Sequence, residues 1–320
     1  MFKDTKIGVV IPCYRVKEKV LSVVDAIPAW VDVIYCVDDG CPENSISVIE
    51  NRKRSPSIHI LRHSKNRGVG AATITGFSAA VENKCDILVK VDGDGQMNPQ
   101  DIERFIRPII EGVADYTKGN RFYQPAQLQK MPGIRLFGNC WLSLIAKLVS
   151  GYWKNIDPTN GFICIHASVF QRLQIVKIAP RYFFENDMLY QLALVRAVVK
   201  DIPIAVQYAD EKSSLNISAV IFTFPSLFLK RFVKRIVYLY FIRDFNVGTI
   251  SLFAGSFLAS FGILFGSYHW ILSGLKSVPA TAGTVMLAAF TFLIGFQLLL
   301  NFVNYDIQSE PKEPVQGMLP

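Results

Sequence analysis

A chain of 320 residues with 51% hydrophobic content and a formal net charge of +8 has room for one or two domains with a sizeable core. Its positive charge gathers just ahead of a long apolar stretch, without the aromatic-basic interleaving of an RNA-binding sheet; this disfavours nucleic acid as a partner and favours anionic lipid. The six cysteines form no CxxC pair and the four histidines no HExxH pattern, so a zinc site is disfavoured and the thiols read as reduced core residues.

The N-terminus leads straight into a strand, which gives no secretory signal peptide to expect. Ile7 to Ile11 reads as that strand, ending in Pro12-Cys13-Tyr14. A helix suits 16–27, and Val33 to Val37 forms a second strand ending in Asp38-Asp39-Gly40. Residues 43–54 predict a helix, Ile58 to Leu61 a third strand, and Ala71 to Val81 a helix entered through Asn66-Arg67-Gly68-Val69-Gly70. Ile87 to Val91 is a fourth strand, and 99–111 a helix opening with proline and acids. Apolar strands separated by helices predict an α/β fold: a largely parallel sheet with helices on both faces. The polar loops recur at one end of successive strands, where such sheets bind ligands. Neither GxGxxG nor the Walker pattern is completed, so a Rossmann dehydrogenase and a P-loop nucleotidase are disfavoured.

The most informative segment is Val89-Lys90-Val91-Asp92-Gly93-Asp94-Gly95-Gln96. An apolar strand ends in two aspartates one residue apart, with a glutamine beyond. Hard divalent cations are held by one or two carboxylates plus substrate phosphates, so this strand end can carry a metal and a diphosphate.

Further along, Ala219 to Tyr240 mixes large apolar residues with Lys230, Arg231, Lys234 and Arg235 at helical spacing, as a helix in the headgroup layer requires. From Phe245 to Leu275, and again from Ser277 to Tyr305, there is no charged residue; each stretch can span a bilayer. With Arg243, the basic cluster puts the preceding flank in the cytoplasm, so the expected form is an integral membrane protein with two spans and both termini cytoplasmic. The tail around Glu310 to Pro314 reads as loose and exposed. The domain expectation is therefore 1–212 an α/β domain, 213–244 interfacial, 245–305 two spans and 306–320 tail.

Taken in order, Val10-Ile11-Pro12-Cys13-Tyr14, Val37-Asp38-Asp39-Gly40, Asn66-Arg67-Gly68-Val69-Gly70-Ala71, the Asp92–Gln96 segment, Lys118-Gly119-Asn120-Arg121, Arg135 and Asp157-Pro158-Thr159-Asn160-Gly161-Phe162 resemble the inverting family 2 glycosyltransferases of the GT-A fold. With the apolar hairpin, the chain is similar to the polyprenyl-phosphate glycosyltransferases related to dolichol-phosphate mannosyltransferase, in the branch with two C-terminal transmembrane helices. The resemblance implies transfer of one sugar from a UDP- or GDP-linked donor to an undecaprenyl or dolichyl phosphate on the cytoplasmic leaflet. It places Pro12 and Tyr14 beside the base and Asp39 on the base edge or ribose. Asp92 and Asp157 belong with the nucleotide-sugar, and Asp94 and Gln96 hold Mg2+ or Mn2+. Arg121 and Arg135 are implied to grip the acceptor phosphate, a task suited to guanidinium forks. An anionic lipid phosphate needs no general base, so Glu185 and Asp187 could orient the sugar or cap a helix. One departure stands out: an Arg-x-x-Gly-x-Ser-Lys motif of relatives corresponds here to Tyr208–Ser214, leaving Lys212 to supply the cation. The QxxRW motif of processive synthases is absent, which implies one sugar per turnover. The partners expected are the nucleotide-sugar, the polyprenyl phosphate and membrane lipids, with homo-oligomer formation left open. A hydroxyl acceptor on the same fold, and a non-catalytic membrane scaffold, are the competing readings.

Overall fold

The computed structural model describes residues 5–50, 52, 56–123, 133–205 and 217–318, with the side chains of 134–136 and 217–222 outside that set. The chain divides into two compact units, 1–232 with 311–320, and 233–310.

The first unit is built on a seven-stranded mixed sheet: β1 (Ile7–Cys13), β2 (Val33–Asp38), β3 (Ser57–Arg62), β4 (Ile87–Lys90), β5 (Tyr116–Asn120), β6 (Ile163–His166) and β7 (Val199–Pro203). Their spatial order is β3-β2-β1-β4-β6-β5-β7. The first four strands are mutually parallel, as the alternating pattern predicts, whereas β6 runs antiparallel to both β4 and β5. Successive side chains of β1 enter opposite layers. Val10 joins Phe77, Phe184 and Leu192 on one face; Val9 and Ile11 join Val23, Phe105 and Ile106 on the other. Strand order reverses direction between β1 and β4, and a sheet of this kind opens a ligand crevice at such a reversal.

The helices α1 (Val20–Ala26), α2 (Val69–Glu82) and α3 (Ile102–Ile110) lie where the apolar periodicity puts them. The helix expected over 43–54 is a correction: among the described residues of that span the structure has a single 3-10 turn, at Ser45–Val48. Asn44, at φ +49°, leaves the chain in the left-handed region just before it, and Ser45, Ser47, Val48 and Ile49 are poor helix formers. After β5 come α4 (Gly133–Ser150), α5 (Ala167–Phe170), α6 (Phe184–Val195) and α7 (Ile217–Val237). Helices α4 and α7 meet Phe183 in a small aromatic core with Val149, Phe224 and Phe228.

Two features of this unit depart from the expectations for the basic helix and the tail. Arg231, read as a headgroup cation, turns inward: Nε and Nη2 contact Asp187 at 2.6 and 2.9 Å, and its guanidinium stacks over Tyr190. The C-terminal tail is not loose. The Val315 and Gln316 amides donate to the Asp115 carboxylate at 3.0 and 2.8 Å, and the Gln316 side chain donates to the Ile109 and Ala114 carbonyls.

The second unit holds α8 (Val247–Lys276) and α9 (Ala282–Gln308), both long and apolar enough to cross a membrane. Their mutual contact uses small residues. A Cβ on Gly262 would lie 2.6 Å from the Phe292 amide nitrogen, and one on Gly295 would strike the Ala259 backbone. Outward faces stay apolar, with Phe253, Leu264, Trp270 and Leu275 largely exposed, which suits lipid rather than water. Near the ends of the unit, Arg235 forms a bidentate pair with Asp306 at 2.8 and 3.0 Å, and the Tyr240 hydroxyl donates to the same carboxylate. Arg235 is therefore also an internal cation, and of the four basic residues at helical spacing Lys230 and Lys234 face outward.

Candidate active site

The loops after β1, β2 and β4 lie at one end of the sheet beside the strand reversal, and the loop after β5 leaves the sheet at the same end with β6 between. At the end of β1, Pro12 is half-buried; just beyond it Tyr14 is exposed, with the Arg15 guanidinium over its ring. The next residues are anchored to the loop after β2. The Arg15 amide donates to Cys41 Sγ and the Val16 amide to Ser45 Oγ.

Asp39, expected to meet the base or ribose, is 2% exposed and structurally committed. Oδ1 accepts from the Arg67 amide and contacts His63 Nδ1, both at 2.8 Å, while Oδ2 accepts from the Gly68 amide at 2.7 Å. Gly68 has φ +101°, and an added Cβ would lie 2.5 Å from the Pro180 carbonyl, so glycine is required where the chain enters α2. Asp39 thereby clasps the 63–68 loop.

At the end of β4 the situation differs. Asp92 and Asp94 are both partly exposed. Burial and then the neighbouring Asp92 charge raise the Asp94 carboxyl above its ordinary value. The Gln96 amide donates to Asp94 Oδ1 at 3.0 Å across a turn that needs Gly95 at φ +73°. Two hard oxygen donors, Asp94 and Gln96, beside a second carboxylate fit Mg2+ or Mn2+. Among the described residues no three His, Cys, Asp or Glu side chains form a preformed cage. A cation here would thus need ligands from substrate, which suits a diphosphate.

The loop after β5 is organised by carboxylates. Arg121 and Asp157, expected to contact separate parts of the substrates, contact each other: Arg121 Nε and Nη2 reach Asp157 at 2.7 and 2.5 Å, and the Arg121 amide at 3.1 Å. Burial raises the Asp157 carboxyl, but the Arg121 hydrogen bonds and charge outweigh it and hold the group below its ordinary value. Asp157 itself sits at φ +61°, with Asn160 donating to its Oδ2. Asp201 serves the same loop by accepting from Asn120, Asn155 and the Ile156 amide and pairing with the buried Lys118. Lys212 lies outside the described residues, as does the side chain of Arg135, whose backbone is in α4.

Of the two acids in α6, Asp187 is taken up by Arg231 and the Ala179 amide. Glu185 instead faces the β4 end, 3.7 Å from Lys90 Nζ. Lys90 is the site residue that the sequence reading passes over as part of an apolar strand. Its signal is a lysine two residues before a carboxylate, on the same face of the strand.

The model of glycosyl transferase family 2 matches residues 8–174. A UDP-N-acetylglucosamine–dolichyl-phosphate N-acetylglucosaminyltransferase of Methanococcus voltae is 29% identical, over 65% of this chain and 88% of that protein. An undecaprenyl-phosphate mannosyltransferase of Micrococcus luteus is 28% identical, over 56% of this chain and 73% of that protein. Among solved structures, the glucosyl-3-phosphoglycerate synthase of Mycobacterium tuberculosis with UDP superposes at a TM-score of 0.53, with 17% identity, over 72% of this chain and 81% of that one. The same synthase has been solved with Mn2+ and UDP-glucose, at a TM-score of 0.50 to this chain.

Proposed function

Because the chain belongs to glycosyl transferase family 2, we propose that it moves one sugar, with inversion, from a UDP- or GDP-linked donor to a polyprenyl phosphate at the cytoplasmic leaflet. The observation that carries this reading is the partly exposed, under-compensated Asp94 at the strand reversal, in a chain that also holds two apolar helices long enough to span a bilayer. The names of the two archaeal and bacterial relatives support the acceptor class.

Residues 1–212 would perform the chemistry. Pro12 and Tyr14 would bound the base, and Asp39 would act through the loop it clasps. Asp94 and Gln96 would hold Mg2+ or Mn2+, which supplies positive charge for the departing nucleoside diphosphate; the Mn2+ of the synthase structure supports that choice of ion class. Asp92 would face the sugar. Arg135 and Lys212 would offer cations to phosphate, and Arg121 would do so from a guanidinium already oriented by Asp157. The acceptor phosphate is ionised at neutral pH, so its oxygen attacks the anomeric carbon without surrendering a proton. Residues 245–305 would hold the enzyme at the lipid. Both ends of the hairpin would face the cytoplasm; Lys230, Lys234 and Arg243, ahead of the first span, support that side.

Transfer to a hydroxyl is the second reading. It is favoured by Glu185, which burial raises above its ordinary value beside the donor end of the site, the direction a general base needs. The deciding experiment incubates the full chain in lipid nanodiscs with Mn2+, undecaprenyl phosphate and a panel of UDP- and GDP-sugars, followed by mass spectrometry of the lipid. A single glycosyl phosphate lipid is expected, abolished by chelator. Product on a hydroxyl acceptor, with none on the lipid phosphate, would replace the first reading by the second.

A further inference from the structure

Lys90 is fully buried at the end of β4, a position a lysine tolerates only when its charge is met. Its Nζ lies 2.7 Å from Asp92 Oδ1 and 3.7 Å from Glu185 Oε1, and donates to the Gly161 carbonyl at 3.0 Å. One ammonium therefore joins three segments: the end of β4, the loop before β6 and the first turn of α6. The contact is close. A Cβ on Gly161 would stand 2.5 Å from both Lys90 Nζ and Asp92 Oδ2. The glycine serves this ion pair rather than a turn, since it is not among the residues at positive φ. Burial alone would push Lys90 toward neutrality; Asp92 and Glu185 reverse that and keep it charged.

We propose that Lys90 is the positioning residue for the sugar half of the donor, holding Asp92 and Glu185 together as paired acceptors for sugar hydroxyls. The inference rests on the nucleotide-sugar reading above and adds which groups read the sugar. Lys90 engages one oxygen of each carboxylate and offsets one of their two charges. An ionised carboxylate has several acceptor positions, so each acid retains capacity toward a ligand O–H. Exposure divides the roles: the Asp92 side chain is 27% exposed and that of Glu185 11%, against 1% for Lys90. The acids reach the site and the lysine stays behind them. Without the ammonium, two anions would stand side by side and separate, and the acceptors would lose their common orientation.

The test compares ligands with and without the sugar. Full-length protein in nanodiscs with Mn2+ is titrated calorimetrically with UDP, UDP-N-acetylglucosamine, GDP and GDP-mannose. For the nucleotide that binds, Lys90→Met should weaken the sugar-linked form at least tenfold, about 1.4 kcal/mol, while the free diphosphate changes less than twofold. Glu185→Gln, which keeps shape and hydrogen bonding, should show the same split at severalfold magnitude with an unchanged melting temperature. If Lys90→Met does not fold, Glu185→Gln decides alone. Loss of both ligands in proportion, or of neither, would overturn the proposal and leave Lys90 as a fold element. Wild-type protein that binds none of the four ligands would overturn the donor reading and this inference with it.

Discussion

Four aspartates around the strand ends divide into two kinds. Asp39 and Asp157 are buried, and both oxygens of each are engaged by backbone amides or by side chains such as Arg121 and His63. Asp92 and Asp94 are partly exposed, and the second is raised by burial and by the charge of the first. The saturated pair shapes loops; the under-compensated pair has capacity left for a cation and a substrate. Sequence motifs do not separate the two kinds, because all four are aspartates following strands or opening loops next to glycine or proline. Their roles should separate cleanly when each is stripped of its charge.

The largest effect on rate is expected at Asp94. Asp94→Asn should lower transfer by a hundredfold or more, since an electrostatic contact to the developing charge is lost. Its melting temperature should stay within about 2 °C of wild type, because surface loop substitutions are nearly neutral. Initial rates and a thermal melt on the same preparation check both halves. A variant that keeps its rate would remove Asp94 from the site.

Asp157→Asn should do the reverse and act first on stability. It removes the carboxylate charge paired with the Arg121 guanidinium, which is 19% exposed; breaking a buried pair costs about 3–5 kcal/mol, taken toward the lower end for this part-exposed partner. Asparagine accepts the left-handed conformation at this position, so the change isolates charge. The folded-state carboxyl is held below the ordinary aspartate value of 3.8. Its contribution is therefore complete above that value and is lost as pH falls through the folded-state pKa. Denaturant melts should show a wide gap between wild type and variant at pH 7 that narrows below pH 3.8.

An intermediate effect is expected at Gly161. Gly161→Ala places a methyl group 2.5 Å from Lys90 Nζ and Asp92 Oδ2, and overpacking of this kind costs about 1–3 kcal/mol. It should also shift activity, because the displaced groups belong to the under-compensated end of the site. Full activity with normal stability would show that the Lys90–Asp92 pair can move aside.

What could be read in the sequence follows a physical line. Strands β1 to β4 were legible because each is a short apolar run closed by a polar turn, and α8 and α9 because uncharged stretches of that length have few other uses. Strands β5, β6 and β7 are only four or five residues long, and β6 reverses direction between parallel neighbours, so no repeating pattern announces them. The end of the site proposed to hold a metal could be picked out in the sequence because Asp94 and Gln96 are close together. The pairing of Arg121 with Asp157 spans 36 positions, and that of Arg231 with Asp187 spans 44; both depend on loop paths that local patterns do not encode. Lys90 was hidden by its surroundings, since a single lysine in Ile87–Val91 does not disturb the strand reading.

The smallest effect concerns the tail, and it bears on the same contrast from outside the site. Asp115 is a third saturated carboxylate, fully buried, accepting from the Val198 amide as well as from the Val315 and Gln316 amides. It holds the chain end to the sheet as Asp39 and Asp157 hold their loops. Gln316→Ala removes the two side-chain bonds to the Ile109 and Ala114 carbonyls but leaves the amide bonds to Asp115 intact. Each hydrogen bond is worth about 0.5–1.5 kcal/mol net, so the two give roughly 1–3 kcal/mol, and the lower end is expected for these part-buried bonds. The solvent-facing Lys312 provides the control: Lys312→Ala should change stability by no more than about 0.5 kcal/mol. Hydrogen exchange at the Val315 and Gln316 amides should quicken in Gln316→Ala and not in Lys312→Ala. Rapid exchange of both amides in the wild type would show that the tail is not held to Asp115 in solution.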